Sequence, residues 1–528
     1  VEEVAVELDI TVRGGDVLDG TGSPARRLDI GIRDGRITAL GDLTAAASAQ
    51  VVEAAGRTVT PGFIDVHAHT DVAGLLDDEH VDIKLAGARQ GVTTEVCGNC
   101  GFSTFPAASE QVDPADPRLA LIPGSRRFYR SLADYRTVMA EVPLAANLAP
   151  LVGHGRIRSV ALGGENRSPT SDELEHMQRL TAEAMDDGAF GLSSGLVYAP
   201  AVYAQTEELV ALAEVVGRYG RPYTTHMRNE SDHVEEAVAE ALRIGREAGT
   251  SVEISHHKIA GKHNWGRSHA TLAAIEVARR TGLDVTLDVY PYTAGCTYLA
   301  GFLPPWVSEG GPTHTLERLR DSAARERIAH DFASGLPGWQ NLSEITGWHN
   351  VVVAGEPPRA GCSIQALADD EGRAPSDYVV DLILEDPQTL VIIHMMDEHE
   401  VNTISDQPFA LTGSDGVPVP GSQHPRLAGT FARVVGRHAS DANRLADVIR
   451  RMTSLPARRF NLGDRGIITE GAIADLVVFD PTTVSDRATY EQPLLPPTGI
   501  DHVIIAGELV IDRRADTGRR PGRVLEPA

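Results

Sequence analysis

Between residues 61 and 463 the sequence switches repeatedly from short apolar runs to amphipathic stretches. This alternation restricts the fold more than any other feature. Repeated strand–helix units imply a parallel sheet, open or closed into a barrel. Eight runs read as strands, ending near His69, Cys100, His154, Tyr198, His226, His256, Tyr290 and Asp415. Eight such units favour an α/β fold of the (β/α)8 TIM-like barrel type. Helix starts are marked between them. Thr170 with Glu173 forms a capping box for a helix carrying Leu174, Met177 and Leu180, and Asp232 with Glu235 is a similar signal ahead of Val234, Val238, Ala241 and Leu242. The gap between the last two strands is long. Residues from about 295 to 405 hold helical segments, Trp306, Trp339 and Trp348, and strand-like runs at Asn350–Ala354 and Leu390–Ile393. This reads as an insertion over the barrel mouth.

The two ends of the chain look different from the middle and like each other. Strand runs at Leu8–Arg13, Asp16–Asp19, Asp29–Arg33 and Arg36–Leu40 are punctuated by Gly14-Gly15, Gly20 to Gly22 and Asp34-Gly35. Ala474–Phe479 and His502–Ala506 are strand runs near the other end. Termini often lie close together, so residues 1–60 and 464–528 are expected to form one small antiparallel β-sandwich domain beside a barrel of residues 61–463.

Charge and cysteine content narrow the function. With 74 acidic and 48 basic residues the net charge is −26. A surface that acidic repels phosphate backbones and anionic lipid, so neither nucleic acid nor a membrane is an expected partner. No run of 18 apolar residues occurs, and Val1-Glu2-Glu3 does not open a signal peptide. The simplest reading is a cytoplasmic protein; a removed leader is the alternative. Four cysteines in 528 residues are too few for a disulfide framework.

Chemistry gathers at the strand ends. Phe63 to Val66 runs into His67-Ala68-His69, and residues i and i+2 of a strand share a face. Later strands end in His226-Met227-Arg228, His256-His257-Lys258 and Gly413-Ser414-Asp415-Gly416. In a barrel these ends meet at one mouth, and histidines converging with a carboxylate have the composition of a metal site. Taken singly, each is as well read as a hydrogen-bonded core histidine or an ordinary turn. Cys97 lies three residues before Cys100, but no second pair accompanies it, so it reads as a small buried hydrophobe.

The ordered set of motifs resembles a known family. Pro61 to His69 is similar to the first-strand motif of the amidohydrolase superfamily. Gly91-Val92-Thr93-Thr94, Gly98 to Phe102, Gly191 to Tyr198, Thr225 to Arg228, Ser255 to Lys258, Tyr290-Pro291-Tyr292, Gly413 to Gly416 and His424-Pro425-Arg426 resemble its D-aminoacylase (N-acyl-D-amino-acid deacylase) branch. The resemblance implies Zn²⁺ held tightly by Cys100, His226 and His256, with His67, His69 and Asp415 as a weaker second position. Relatives elsewhere in the superfamily bridge two metals with a modified lysine. The chain has only Lys84, Lys258 and Lys262, none of them in the fourth-strand run, so Cys100 would take the bridging part.

The resemblance also implies the reaction. Zinc lowers the pKa of its water from 15.7 towards about 7, and the resulting hydroxide attacks the amide carbonyl of an N-acyl-D-amino acid. Asp415 would take the proton and pass it to the leaving amine. Arg426, Lys258 and Tyr290 would grip the substrate carboxylate, and Tyr198 and His257 would belong to the substrate pocket. Cys296 stands where the family usually has serine, which puts the preferred side chain or acyl group in question. His154 is either an oxyanion donor or a prop for another group. A cyclic amide on the same scaffold, or a protein that only stores metal, are the competing functions.

Overall fold

The computed structural model describes residues 8–421 and 423–528; Val1-Glu2-Glu3 lies outside them. The alternating middle of the chain folds as parallel strands. Phe63–Asp65, Val92–Cys97 and Asn147–Pro150 form a three-stranded sheet. Val152–Gly153, Leu192–Gly195, Tyr223–His226, Val252–Ile254, Val285–Val289 and Ala410–Thr412 follow one another in a six-stranded sheet. Hydrogen bonds join the two sheets at both margins. Leu151 N donates to Cys97 O and Val152 N to Gly191 O, while Asp415 N donates to His67 O at 2.7 Å and His69 N to Gly416 O at 3.0 Å. Ala68 and Gly416 pair as a parallel bridge. The strand residues are buried on both faces, as helix-covered parallel strands require.

The helices between strands form where their periodicity dictates. Ser171–Asp186 starts on the Thr170–Glu173 capping box, with both reciprocal bonds made. Val234–Ala248 buries Val234, Val238, Ala241 and Leu242 as expected, but Asp232 does not cap it. Its carboxylate instead accepts from Asn264 Nδ2 at 2.8 Å and meets His263 Nε2, and Glu235 pairs with Arg267. Partners supplied by a distant loop outcompete the local cap.

The chain ends share one nine-stranded sheet, with five strands from Leu8 to Pro61 and four between Leu476 and Asp516. It departs from the expected antiparallel sandwich in three ways. The Leu8–Val17 strand pairs in parallel with Ser48–Glu53 and with Thr58–Pro61, so the sheet is mixed. Gly14-Gly15 is a bulge inside that strand, with the register shifting between Val12 and Gly15, and not a turn between two strands. A Cβ at Gly15 would stand 2.4 Å from Val59 Cγ2, which explains why the bulge needs glycine there. In place of the two sheets of a sandwich there is one nine-stranded sheet, and Ile30, Ile37, Val59, Leu476 and Ile504 from its strands share one buried cluster.

Within residues 295–405, Ala294–Tyr298, Leu390–His394 and Val351–Val353 form a separate antiparallel sheet of three strands. Phe302 and Phe332 pack on Trp348, and Phe332 also meets Trp339.

Candidate active site and metal centre

His226 is the last residue of its strand, whereas His67, His69, Cys100, His256 and Asp415 sit in the turns two to four residues beyond theirs. The turns are tightly pinned. Asp65, last in its strand, accepts from His67 N at 3.1 Å and Ser414 N at 2.8 Å. Cys100, His256 and Asp415 adopt φ of 53°, 35° and 51°. Such left-handed conformations cost roughly 1–3 kcal/mol each outside glycine and gather at functional sites. Two glycines make room. A Cβ at Gly195 would meet Cys100 O at 2.2 Å, and one at Gly413 would meet Asp288 Oδ1 and His67 Cβ at 2.6 Å.

This backbone brings six side chains together, all buried. Cys100 Sγ lies 3.4 Å from His67 Nε2, 3.4 Å from His256 Nε2 and 3.7 Å from His226 Nδ1. His69 Nε2 is 3.1 Å and His67 Nε2 3.6 Å from Asp415 Oδ1. Two overlapping groups result, His67–His69–Cys100 and Cys100–His226–His256, each with donor atoms mutually within 4.8 Å. Cys100 belongs to both. Cys97 joins neither and is buried in the core.

Electrostatics suit an ion. Burial pushes the His226 and His256 imidazoles well below their usual range, with Lys258 adding to the effect, so both are neutral with a lone pair to give. Burial alone would raise the Asp415 carboxyl, but Arg426, His69 and His67 outweigh it and hold it well below the usual carboxylate range. Burial raises the Cys100 thiol, against the pull of His67.

Arg426 and Lys258 reach this site but are not free charges. Arg426 Nη1 is 2.8 Å from Asp415 Oδ2, and its guanidinium lies 4.8 Å over the Tyr290 ring. Lys258 Nζ sits 2.5 Å from Glu230 Oε1 and 2.7 Å from His256 Nδ1. Tyr198 meets the His226 ring edge to face, centroids 5.1 Å apart, and bonds Thr297 through its hydroxyl at 2.9 Å. Cys296 lines the wall, its thiol pushed up to about 11 by burial. A cavity of about 470 Å³ opens over the cluster, and His69, Cys100, His226, His256, Lys258, Tyr198, Tyr290, Cys296 and Asp415 all line it. The 295–405 segment supplies much of its upper wall through Trp306, Arg327, Trp339 and Met395.

Arg426 stands behind Asp415 and Tyr290 and does not itself line this cavity, and two further expected residues lie elsewhere. His257 does not line the cavity. Its Nε2 is 2.9 Å from Thr271 Oγ1, on the helix Ser268–Arg280 behind the strand. Adjacent residues leave a strand end on opposite sides, so with His256 inward His257 goes outward. His154 opens the helix His154–Leu162 and meets Glu208 Oε1 at 2.8 Å, in a buried cluster that Arg158 completes from the same helix. It does not border the cavity either.

Two carboxylates were missing from the sequence reading. Asp288 Oδ2 is 3.3 Å from His67 Nδ1 and its Oδ1 accepts from His256 N at 2.9 Å, so one side chain orients two histidines. Glu230 holds Lys258 and lies 3.0 Å from His256 Nδ1 and 3.5 Å from His226 Nε2. Their sequence signals are slight: Glu230 is four residues after His226, and Asp288 two before Tyr290.

The amidohydrolase family model matches residues 50–511. The chain belongs to the amidohydrolase family. Within this family it falls in the D-aminoacylase group. It is 38% identical to an N-acyl-D-glutamate deacylase of Alcaligenes xylosoxydans xylosoxydans, over 98% of this chain and 96% of that one. It is 39% identical to a D-aminoacylase of the same organism, over 98% and 97%. Among solved structures it matches the N-acyl-D-glutamate deacylase of Bordetella bronchiseptica complexed with zinc and a phosphonate mimic of the tetrahedral intermediate. That match has a TM-score of 0.83 at 37% identity and covers 98% of this chain and all of the other.

Proposed function

We propose that this amidohydrolase cleaves the amide bond of N-acyl-D-amino acids, releasing a D-amino acid and a carboxylic acid, with zinc as cofactor. The observation that carries the reading is the placement of Cys100 Sγ between His67 and the His226–His256 pair, beside an Asp415 already ionised by Arg426. Buried sulfur and neutral imidazole nitrogen are the donors zinc prefers. Cys100, His226 and His256 would hold the tighter ion, and His67, His69 and Asp415 a weaker one. When bound, zinc polarises the amide carbonyl and lowers the pKa of a water to about 7.

The chain's own residues do the rest. Asp415 enters the cycle as a carboxylate, so it accepts the proton of the attacking water and hands it to the leaving nitrogen. Asp288 and Lys258 fix the rings of His67 and His256, which sets the nitrogens that face the centre. The substrate carboxylate enters the network of Arg426, Lys258 and Tyr290, where Arg426 divides itself between that carboxylate and Asp415. Tyr198 and Cys296 wall the pocket. In the same reading Asn147–Pro150 and Val152–Gly153, parted only by Leu151, count as one third strand, so that the nine parallel segments are the eight strands of one (β/α)8 barrel of residues 61–463, with 295–405 inserted over its mouth and 1–60 with 464–528 forming the small β domain.

The test is incubation of the zinc-loaded protein with matched N-acetyl-D- and N-acetyl-L-amino acids carrying apolar, acidic and basic side chains. Release of amino acid from the D series alone is expected. Equal rates for the two series, or no release from either, overturn the reading.

A further inference from the structure

The cavity over the cluster does not end at Tyr198. Val197, Tyr198, Val202, Gly301 and Pro305 line it, and the same five residues line a second cavity of about 300 Å³. Gly301 lies at the junction, where a Cβ would be in van der Waals contact with the rings of Tyr198 at 3.4 Å and Tyr298 at 3.5 Å. Ala199, Ala300 and Leu303 continue the wall outward. The second cavity offers no unspent charge. Its carboxylate, Asp116, is bound at both oxygens by Arg118, at 2.8 and 2.7 Å, and the remaining Arg118 nitrogen bonds Ser159 Oγ. A groove with paired charges and apolar walls selects an apolar occupant.

Strand order says which part of a substrate points there. Lys258, Tyr290 and Arg426 follow the sixth, seventh and eighth parallel strands, whereas Tyr198 follows the fourth, Leu192–Gly195. In a trans amide the acyl chain and the α-carbon leave on opposite sides of the C–N bond. With the α-carboxylate held at Arg426 and Lys258, the acyl chain is directed past Tyr198. We propose that the second cavity receives the acyl chain, and that the enzyme's substrates are N-acyl-D-amino acids with unbranched chains well beyond acetyl. This rests on the deacylase reading above.

The experiment uses the full zinc-loaded chain and acetyl, butyryl, hexanoyl and octanoyl derivatives of whichever D-amino acid is released fastest from its acetyl form. The octanoyl compound is expected to exceed the acetyl one in kcat/KM by at least about tenfold, mainly through KM. Ala300→Phe fills the second cavity, and the octanoyl-to-acetyl ratio then falls to about one. Ser308→Trp occupies the same space from another position and replaces it if Ala300→Phe does not fold. If acetyl derivatives are cleaved but octanoyl has no advantage, or the advantage survives in the folded variants, the acyl-cavity inference falls and the deacylase reading stands. If no chain length is cleaved, the deacylase reading falls and takes this inference with it.

Discussion

His256 and His257 are neighbours in the chain and live in different chemistry. His256 takes a left-handed backbone, gives a ring nitrogen to a thiol and packs against two other imidazoles. His257 faces a helix hydroxyl. His154 repeats the outer pattern, with Glu208 as its partner. The inner ring crowds four imidazoles, a thiol and a carboxylate on a strained backbone, a cost that the ion proposed above would offset. The outer histidines each meet a single protein partner and need no ion. The same residue type at neighbouring strand ends therefore separates into cavity cluster and scaffold by the side it faces.

The comparison breaks first at Cys100. Cys100→Ala removes the one atom shared by both donor groups. We expect zinc content to fall and kcat/KM to drop by at least about a thousandfold, with the fold retained by circular dichroism. Wild-type zinc content in this variant would mean that sulfur does not organise the inner ring. The next largest effect lies outside. Glu208→Ala leaves Arg158 and His154 buried without their carboxylate, and loss of one partner of a buried pair costs about 3–5 kcal/mol. Urea unfolding should show that loss while the remaining folded enzyme keeps its zinc and its turnover. If turnover falls and stability does not, His154 belongs with the reacting groups.

How much of this was legible in the sequence follows from the same distinction. The inner ring is readable because strand ends come in order along the chain: the His67–His69 pair closes one run, and Cys100, His226, His256 and Asp415 each close another. Facing is harder to read. An i, i+2 pair such as His67 and His69 declares its side, but His256-His257 offers two histidines for one inward place. His154 looked like a strand terminus, yet its strand ends at Gly153 and the residue already belongs to a helix. Glu230 and Asp288 stayed hidden because they act through other groups, and nothing in local sequence marks a carboxylate that orients a ring on another strand. The Asp232 cap failed for a related reason: Asn264 and His263 come from a loop that only the tertiary fold brings near. At the chain ends, alternation located the strands but not their pairing, so a parallel partner and a glycine bulge were read as antiparallel strands and a turn.

The smallest expected effect is the sharpest on the outer ring itself. Burial pushes the His257 imidazole down to about 4, against the pull of Glu230, whereas an unfolded histidine titrates near 6.5. Between those values the unfolded chain holds a proton that the folded chain refuses. The stability due to neutral His257 is thus complete above about pH 6.5 and is lost as pH falls towards 4, a span of about 3 kcal/mol. His257→Gln keeps a group able to bond Thr271 but cannot titrate. We expect the variant to be less stable than wild type by about 1–2 kcal/mol at pH 7.5, through imperfect packing. The gap should close by about 2 kcal/mol by pH 4.5, because only the wild-type unfolded chain is stabilised by taking up a proton there. Urea midpoints at the two pH values measure it, and the difference between proteins cancels the other buried acids. A gap that stays constant would place His257 in a solvated or charge-paired setting, on the substrate side of the strand, and would erase the division between the two rings.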